Sequence, residues 1–403
     1  MPDADRIAAR LDALWEIALG PGGGADRPAY SAAEAEAMRL VAGWAREAGL
    51  EPGIDPQGNL WALPPGATGP VVTSGSHVDT VPDGGRYDGA LGTVLGLELV
   101  ADLEAGRAGI LICAAEEAPR FGAGTIGSRL LVGTLDRAAL AQLHDASGIS
   151  ADAALAGYLD ALADLPRITP PVGRVRAHAE VHVAQRRELR ELGIVTQVAS
   201  PRRFELRITG EAGHSGEVSM EARHDALAAA AEVVLAIEAA ARAEPAETVA
   251  TVGVISVSPG AVSVIPGQAR LAIDVRGISS ESLARVDAAL RERVAEICDR
   301  RGVGHQLVMT RAGEPVALDP GLAGAALRAA ERLAIPARET WSGAGHDAQH
   351  LNAVAPCLLT FVPLHGGESH TPQEGAAMDE IIQAGQVIAA VLGQAALDTN
   401  SEV

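Results

Sequence analysis

Histidine and carboxylate residues follow two apolar segments of this 403-residue chain at short spacing. The apolar segments are residues 70–73 and 109–115. The polar side chains after them are His77, Asp79, Asp88, Glu116 and Glu117. A single histidine or a pair of glutamates is more often core or surface filler, but carboxylates that end an apolar run are expected to be buried, and buried charge must be paired or metal-bound. Because deprotonated His and carboxylate groups on rigid loops are what a divalent cation requires, we predict a metal centre.

Further histidines occur in patterns that could complete such a centre. The alternation in residues 177–185 predicts a strand with His178, Glu180 and His182 on one face, although a polar edge strand would show the same pattern. Other histidines stand in loops rich in small residues. They are His214, His346 and His370. The last of these follows the apolar residues 357–363, so it repeats the arrangement of a strand that ends in a His-bearing loop.

A strand–helix–strand unit must position the first two groups. Residues 70–73 and 109–115 are typical of buried strands, and residues 90–105 between them have the apolar pattern of a crossover helix. Parallel strands connected in this way end at one edge of a sheet, where open α/β folds place their chemistry. We therefore predict an α/β fold in which a catalytic domain has a mostly parallel central sheet.

A second pattern begins near residue 201. Its predicted strands and helices are residues 203–209, 224–241, 249–257, 270–276, 280–300 and 305–310. The order βαββαβ is the ferredoxin-like arrangement. We therefore predict a discontinuous catalytic domain, residues 1–200 and 314–403, with an inserted ferredoxin-like domain at residues 201–313. The tail, residues 398–403, is expected to fray.

Composition excludes several classes of protein. The 32 basic and 52 acidic side chains give a formal charge of −20, which disfavours nucleic acid and anionic membranes as partners. The apolar runs are shorter than the roughly 18 residues of a membrane helix. The acidic N-terminus leads into an amphipathic pattern, so we expect a cytoplasmic protein. Cys113, Cys298 and Cys357 are scattered in apolar surroundings and predict buried thiols.

The motifs extend through nearly the whole chain. They are GSHVD (75–79), GGRYDG (84–89), EE (116–117), EVH (180–182), VIPG (264–267), SGAGHDA (342–348) and SH (369–370). In this combination the chain resembles the hydantoinase/carbamoylase family of binuclear metal amidohydrolases. That family includes N-carbamoyl-L-amino acid hydrolases, microbial β-ureidopropionases and allantoate amidohydrolases, and it belongs to the metallopeptidase clan of aminoacylases and carboxypeptidase G.

The resemblance implies a role for each residue of the centre. His77 and His182 would bind one divalent metal, Glu117 and His370 would bind the second, and Asp88 would bridge the two. Two metals that share a carboxylate can bind and deprotonate one water. The remaining implied roles are those of Glu116 as general base and of Asp79 as the carboxylate that orients the imidazole of His77. Zinc or manganese is expected, with cobalt and nickel as alternatives.

The resemblance also implies a substrate shell. The inserted domain would serve as a lid and as the contact of a homodimer. From it, His214 would stabilise the oxyanion, in a site that is expected to be the partner subunit's, and Arg276 would hold the substrate carboxylate. The other implied substrate-contacting residues are Gln185, Ser263 and His346.

This chain departs from the family pattern in that shell. Ala184 replaces a carboxylate, Arg186 replaces glycine and Ser263 replaces asparagine. Arg186 and Arg187 could favour a substrate with an additional acidic group or could simply be solvated. The expected reaction is metal-dependent hydrolysis of a linear amide or ureido C–N bond in a small carboxylate-bearing substrate, either an N-carbamoyl-L-amino acid or an allantoate-like compound. The alternatives are an aminoacylase or dipeptidase and, in another class, a catalytically silent binding protein.

Overall fold

The computed structural model describes residues 2–103, 107–186 and 188–397. Its helices are α1 (Ala4–Trp15), α2 (Ala32–Glu47), α3 (Ala90–Asp102), α4 (Ile126–Leu131), α5 (Arg137–Leu140), α6 (Ala151–Ala161), α7 (Ala226–Arg242), α8 (Ser280–Arg301), α9 (Pro320–Arg332), α10 (Asp347–Leu351) and α11 (Met378–Leu397). Its strands are β1 (Glu51–Ile54), β2 (Leu60–Leu63), β3 (Val71–Ser74), β4 (Ala108–Ile112), β5 (Val175–Val183), β6 (Leu192–Val198), β7 (Ser200–Thr209), β8 (Gly213–His214), β9 (Val249–Ser258), β10 (Val264–Ile265), β11 (Gln268–Gly277), β12 (Gly304–Ala312), β13 (Val316–Ala317), β14 (Ala337–Ser342), β15 (Cys357–Val362), β16 (His365–Gly366) and β17 (Glu374–Gly375).

The chain divides into two compact units. Unit 2 comprises Gln197–Val316 and Ser342–Ala344, and unit 1 comprises the described residues before, between and after those segments. The predicted catalytic domain, residues 1–200 and 314–403, and the predicted insertion, residues 201–313, have boundaries within a few residues of this division. The roles of the two domains stay predictions at this point.

The large sheet of unit 1 has four parallel strands at its centre. Among the described residues the strand order is β1-β2-β4-β3-β5-β15-β6-β13, with β14 beside β6. The contacts of β3 with β4, of β3 with β5 and of β5 with β15 are parallel, whereas β2 and β6 add antiparallel neighbours on either side. The predicted α/β class with a mostly parallel central sheet is therefore confirmed.

Local sequence accounts for where most helices begin. Ser and Asp side chains accept hydrogen bonds from the first-turn amides of seven helices, as is usual at an N-cap. These residues are Asp3, Ser31, Asp136, Ser150, Asp225, Ser279 and Asp319. Helix α3 differs, because its N-cap residue is Gly89, which has φ 64° and no side chain that could accept a hydrogen bond. Its residues from Ala90 to Val100 are all buried, so packing on the sheet stabilises it instead of an amphipathic stripe.

Unit 2 contains a four-stranded antiparallel sheet in the order β12-β7-β11-β9. The chain order β7-α7-β9-β11-α8-β12 is the βαββαβ arrangement that the sequence predicts. Alternate residues of β7 and β11, such as Leu206 and Leu271, are buried, and they form one core with α7 and α8. The intervening residues, such as Arg207 and Arg270, are exposed, as expected for a sheet with a single covered face.

Several elements differ from the sequence prediction, among them two longer strands and one helix end. Strands β6 and β14 were not predicted. β14 is a mixed polar segment that becomes a strand only through pairing with the sheet, whereas β6 is mostly apolar and five of its seven residues are buried. The predicted helix at residues 90–105 is observed as α3, which ends at Asp102, and residues 104–105 lie outside the described residues. The predicted fraying of residues 398–403 also falls outside the described residues.

Helix α11 is long and apolar enough to cross a membrane by length and composition alone. It contacts α3, α9 and the strands β3, β5 and β15 of the sheet. Ile381, Val387 and Ile388 on this helix are fully buried. These contacts are those of a helix that covers the sheet of unit 1.

Candidate metal centre

The four central parallel strands of unit 1 all lead into the predicted metal ligands. Strand β3 precedes the loop that carries His77, Asp79 and Asp88, and β4 precedes Glu116 and Glu117. His182 is the penultimate residue of β5, and β15 leads through an irregular segment to His370. These residues meet because the carboxyl ends of parallel strands lie at one edge of the sheet.

Two overlapping groups of ligand atoms result. Site A comprises His77, Asp88 and His182, and site B comprises Asp88, Glu117 and His370. In each site the candidate ligand atoms lie within 4.8 Å of one another. Asp88 belongs to both sites, so the predicted bridging position falls on the one carboxylate that they share.

In site A both imidazoles are held by the backbone. The Nδ1 atoms of His77 and His182 lie 3.0 Å from the carbonyl oxygen of Asp79 and 2.9 Å from that of Val183. A carbonyl oxygen accepts only, so each Nδ1 carries the proton and each Nε2 presents its lone pair. These Nε2 atoms lie 3.6 Å and 2.8 Å from Oδ1 of Asp88. Both rings are therefore oriented as metal ligands are.

Gly89 gives the ring of His77 the room that this arrangement requires. A Cβ atom at Gly89 would lie 2.4 Å from Cε1 of His77. The φ angle of Gly89 is 64°, in the left-handed region that side chains other than glycine disfavour. The last glycine of the GGRYDG motif is therefore required for two reasons: it lies against the ring of a candidate ligand, and it precedes the first residue of α3.

Site B is built differently. Nε2 of His370 lies 3.0 Å from Oδ2 of Asp88 and 3.7 Å from Oε1 of Glu117. The side chain of His370 is 44% exposed, whereas those of Asp88 and Glu117 are nearly buried. His370 itself has φ 63°, a left-handed backbone at a non-glycine residue. The two carboxylate oxygens of Asp88 therefore face different sites, Oδ1 toward site A and Oδ2 toward site B.

The donor set fits a pair of divalent cations. Nε2 of His77 is buried and has no hydrogen-bond partner among the described residues. Burial, followed by the charge of Asp88, raises the pKa of Glu117 to about 7, while His370 opposes the rise. Burial also raises the pKa of Asp88, but the imidazoles of His182, His370 and His77 outweigh it and hold that pKa well below its usual range. Buried carboxylates that lie close together need positive charge nearby to stay ionised, and a bound cation would supply that charge.

Glu116 and Asp79 border this cluster. Oε2 of Glu116 lies 3.9 Å from Nε2 of His77. Burial raises the pKa of Glu116 well above its usual range, with His77 opposing the shift and Glu117 reinforcing it. The two oxygens of Asp79 accept hydrogen bonds from the amides of Glu116 and Glu117, at 3.1 Å and 2.9 Å, and Oδ1 lies 3.4 Å from Nδ1 of His77. Asp79 thus connects the loop after β3 to the loop after β4.

Two of the predicted substrate-contacting residues lie close to the centre. Nε2 of Gln185 is 3.5 Å from Nε2 of His370. His346 is buried, and its ring is edge-on to that of His182 at 4.7 Å between centroids. Burial, followed by the neighbouring charge of His182, holds the pKa of His346 well below its usual range, which favours the neutral ring.

Arg186 is engaged by its own surroundings. Its guanidinium lies 4.0 Å from the ring centroid of Trp341, and Nη2 donates to Oγ1 of Thr340 and to the carbonyl of Trp341. Thr340 and Trp341 therefore already accept hydrogen bonds from the guanidinium N–H groups to which an acidic substrate group would bind. Arg187, the second arginine of the hypothesis, lies outside the described residues.

The remaining predicted residues belong to unit 2. His214 and Ser263 lie at the two-stranded ladder of β8 and β10. His214 pairs with Val264, and the carbonyl oxygen of Ser263 accepts a hydrogen bond from the amide of Ser215. Nδ1 of His214 accepts the amide of Gly216. Arg276 lies near the end of β11, where it donates to Asp274 and to the carbonyl of Gly343. The structure therefore brings His214 and Ser263 together and places Arg276 elsewhere in unit 2.

Three buried residues around the centre were not predicted from sequence. Glu34 accepts hydrogen bonds from the amides of Tyr30 and Ala115, and the latter immediately precedes Glu116. Arg27 donates to the carbonyl oxygens of Leu14 and Val78. Glu374 accepts the amides of Tyr87 and Asp88. Each resembles an ordinary surface residue in the sequence, and only the three-residue spacing of Ser31 and Glu34 gives a signal, which is that of a capping box.

Comparison with known proteins agrees with this geometry. Residues 74–394 match the profile of peptidase family M20/M25/M40. The chain belongs to this family. The match covers all five candidate ligands of the M20/M25/M40 chain, as well as Glu116 and Asp79.

Relatives of this M20/M25/M40 chain include amidohydrolases of non-peptide bonds. It is 36% identical over 402 residues to the N-carbamoyl-L-amino acid amidohydrolase of Geobacillus stearothermophilus, covering 96% of this chain and 97% of that one. It is 31% identical to the ureidoglycolate hydrolase of Oryza sativa subsp. japonica, covering 98% and 85%. Among solved structures, a hydantoinase/carbamoylase family amidase from Burkholderia multivorans is similar with a TM-score of 0.87, 32% identity and 98% coverage of both chains. The resemblance inferred from the motifs is confirmed.

Proposed function

We propose that this protein is a binuclear metal-dependent amidohydrolase that cleaves a linear C–N bond in an N-carbamoyl-L-amino acid. One observation carries the proposal: the two oxygens of Asp88 face two separate sets of ligands, site A and site B. A carboxylate shared in this way is suited to hold two cations close together. The names of the relatives support the ureido bond as the scissile one, and an allantoate-like substrate is the nearest variant.

The bound cations would polarise the scissile carbonyl and lower the pKa of a shared water. The five ligand residues would hold them, with Asp88 as the bridge. Glu116 would accept the proton of the attacking water and return it to the leaving nitrogen, because its carboxylate borders site A without belonging to either ligand set. Burial raises the pKa of Glu116 well above its usual range, which makes its carboxylate a stronger base than an exposed glutamate.

The substrate would be held by residues around this centre. Gln185 next to His370 and His346 next to His182 are close enough to the ligands to line a pocket. Arg276 would bind the substrate carboxylate with its planar guanidinium. Ser263 would contact the substrate at the position where relatives of this pattern carry asparagine, and His214 would stabilise the oxyanion.

A homodimer would explain how His214 takes part. Strand β11 has ten residues and spans roughly 30 Å. His214 pairs with the segment before the start of β11, whereas Arg276 lies near its end. Because one chain holds these residues at opposite ends of a strand, we propose that His214 acts in the site of the partner subunit.

The two subunits of that dimer would contact each other through strand β9 of unit 2. This strand lies at one edge of the four-stranded sheet, and its Val254 is 57% exposed. An apolar open edge favours pairing with a second copy. We expect Val254→Lys to convert dimer to monomer in sedimentation velocity. Val308→Lys on β12, at the opposite edge, is the matched control and should leave the dimer intact.

Zinc or manganese is the proposed native metal, since nitrogen and carboxylate ligands suit both, and cobalt and nickel are alternatives. The three cysteines are free and buried, which supports a reducing compartment and hence the cytoplasm. No nucleic acid or membrane partner is proposed, given the formal charge of −20.

One assay separates the candidate reactions. Protein stripped of metal and reconstituted with Zn²⁺ or Mn²⁺ would be offered N-carbamoyl-L-amino acids, N-acetyl-L-amino acids and dipeptides in parallel. We expect ammonia release from the N-carbamoyl substrates to exceed turnover of the others. Faster release of free acid from N-acyl substrates or of amino acids from dipeptides would indicate an aminoacylase or a dipeptidase. A reconstituted protein with less than one ion per chain and no turnover would indicate a silent relative.

A further inference from the structure

Glu374 connects the two loops that provide site B. It is 5% exposed and lies in β17, four residues after His370. Its Oε1 accepts the amides of Tyr87 and Asp88 at 2.9 Å and 3.0 Å. Its Oε2 accepts the hydroxyl of Ser369 at 3.1 Å. One buried carboxylate therefore holds the backbone that precedes and includes Asp88 together with the residue before His370.

The segment around His370 needs such a connection. Backbone hydrogen bonds of this segment run within it, as between Gly367 and Gln373 and between Glu374 and Thr371. The strands β16 and β17 pair with each other as a separate two-stranded ladder. These bonds shape the loop without attaching it to the loop of Asp88. The carboxylate of Glu374 supplies that attachment across 286 positions of the chain.

Gly85 leaves space for this carboxylate. A Cβ atom at Gly85 would lie 2.2 Å from Oε1 and 2.3 Å from Cδ of Glu374, closer than real contacts allow. A methyl group at this position would have to displace the carboxylate from the amides of Tyr87 and Asp88. The same contact can thus be broken from either side, by removing the carboxylate or by removing its space.

We propose that Glu374 is the positioning residue of site B: its carboxylate sets the spacing between Asp88 and His370 and thereby the affinity for the second divalent cation. Glu374 belongs to neither candidate ligand set. Site A should depend on it much less, since the imidazoles of His77 and His182 are oriented by carbonyl oxygens of their own segments. This inference rests on the proposed binuclear centre.

The test uses Co²⁺ as the probe with the full-length protein. Metal-free wild type, Glu374→Ala, Glu374→Gln and Gly85→Ala are titrated with Co²⁺, and visible absorption and metal per chain after desalting are recorded. The wild type should retain two ions. Glu374→Ala and Gly85→Ala should retain one Co²⁺ ion, and the visible absorption of this first ion should match that in the wild type. They should bind the second ion roughly 10–100-fold more weakly, the usual effect of losing a residue that orients a ligand. Glu374→Gln should recover most of the affinity, because its amide oxygen can accept the same two amides.

Glu98→Ala is the control for loss of a buried glutamate. Glu98 is also buried, but it pairs with Arg6 and Arg10 of α1 and accepts the amide of Asp3. This variant should be less stable than the wild type and still retain two ions. Should Glu374→Ala fail to fold, Gly85→Ala and Glu374→Gln decide the matter.

Three results would overturn the inference. The first is wild-type affinity for the second ion in both Gly85→Ala and Glu374→Ala. The second is an equal loss of affinity for both ions in these variants. The third is an affinity of Glu374→Gln for the second ion that is as low as that of Glu374→Ala. A wild-type protein that binds fewer than two ions would instead overturn the proposed function, and the inference with it. The two failures are therefore distinguishable in one titration.

Discussion

Sites A and B share Asp88 but differ in what orders their ligands. The histidines of site A are buried at or next to the ends of β3 and β5, and each is fixed by a carbonyl oxygen. The histidine of site B is 44% exposed, has a left-handed backbone and belongs to an irregular segment. The sheet orders site A, whereas a few side-chain contacts order site B. We therefore expect site A to bind its cation more tightly and to exchange it more slowly.

The largest effect is expected from Asp88→Asn, which removes the carboxylate charge common to both sites. Metal content should fall below one ion per chain, and activity should fall below detection. Asp55→Asn provides a control, because Asp55 is also buried but accepts hydrogen bonds from Asn59 and Trp61. Two ions retained in Asp88→Asn, by elemental analysis after desalting, would contradict the bridging role.

Single substitutions in site A and in site B should have different effects on metal binding. His182→Ala removes a ligand of site A, and His370→Ala removes a ligand of site B. We expect His182→Ala to lose the tightly bound ion and His370→Ala to lose the weakly bound one, as measured by competition with a chelator. Equal residual affinities in the two variants would show that the sheet gives site A no advantage.

Glu116→Gln should separate chemistry from metal binding. The amide cannot accept the proton of the attacking water, so kcat should fall by roughly 10²–10⁴-fold, the usual contribution of a general base. Both ions should remain, since Glu116 is in neither ligand set. Loss of an ion together with activity would mean that Glu116 acts as a ligand.

Asp79→Asn is expected to weaken both sites moderately. An amide nitrogen in place of one oxygen would face the backbone N–H of Glu116 or Glu117 instead of accepting from it. Metal affinity or activity should fall roughly 10–100-fold. Asp83→Asn is a matched control, because Asp83 similarly accepts the amides of Gly22 and Gly24. A comparable loss of metal affinity in that variant would assign the effect to general loop stability.

The smallest effect is expected from Arg186→Ala, outside both sites. Loss of its contact with Trp341 should reduce the free energy of unfolding by about 0.5–1 kcal/mol, the usual value of an exposed cation–π pair. Because Thr340 and Trp341 already accept from the guanidinium, kcat/KM should change equally for acidic and neutral N-carbamoyl amino acids. A loss confined to acidic substrates would restore the charge-selection hypothesis. Arg190→Ala, at an exposed position, is the control.

Much of the fold follows from local patterns. Apolar runs of four to seven residues predict three of the central strands, and alternation predicts β5. The apolar stretch after Gly89 predicts the crossover helix, because burial on both faces requires continuous apolar sequence. Strand β14 could not be predicted, since its mixed polar sequence becomes a strand only through pairing with β6, which is distant in sequence.

The sequence by itself determined which side chains can bind a cation and that several of them follow buried strands. His77, Asp88, Glu117, His182 and His370 were candidates because a buried carboxylate or imidazole cluster must be paired or metal-bound, and the family resemblance implied their roles as ligands. Only the tertiary structure decided that Asp88 turns one oxygen toward each site and that Glu374 joins two loops 286 residues apart. The physical reason is that ligand chemistry resides in single residues, whereas their spacing depends on hydrogen bonds between segments that meet only after the sheet has formed.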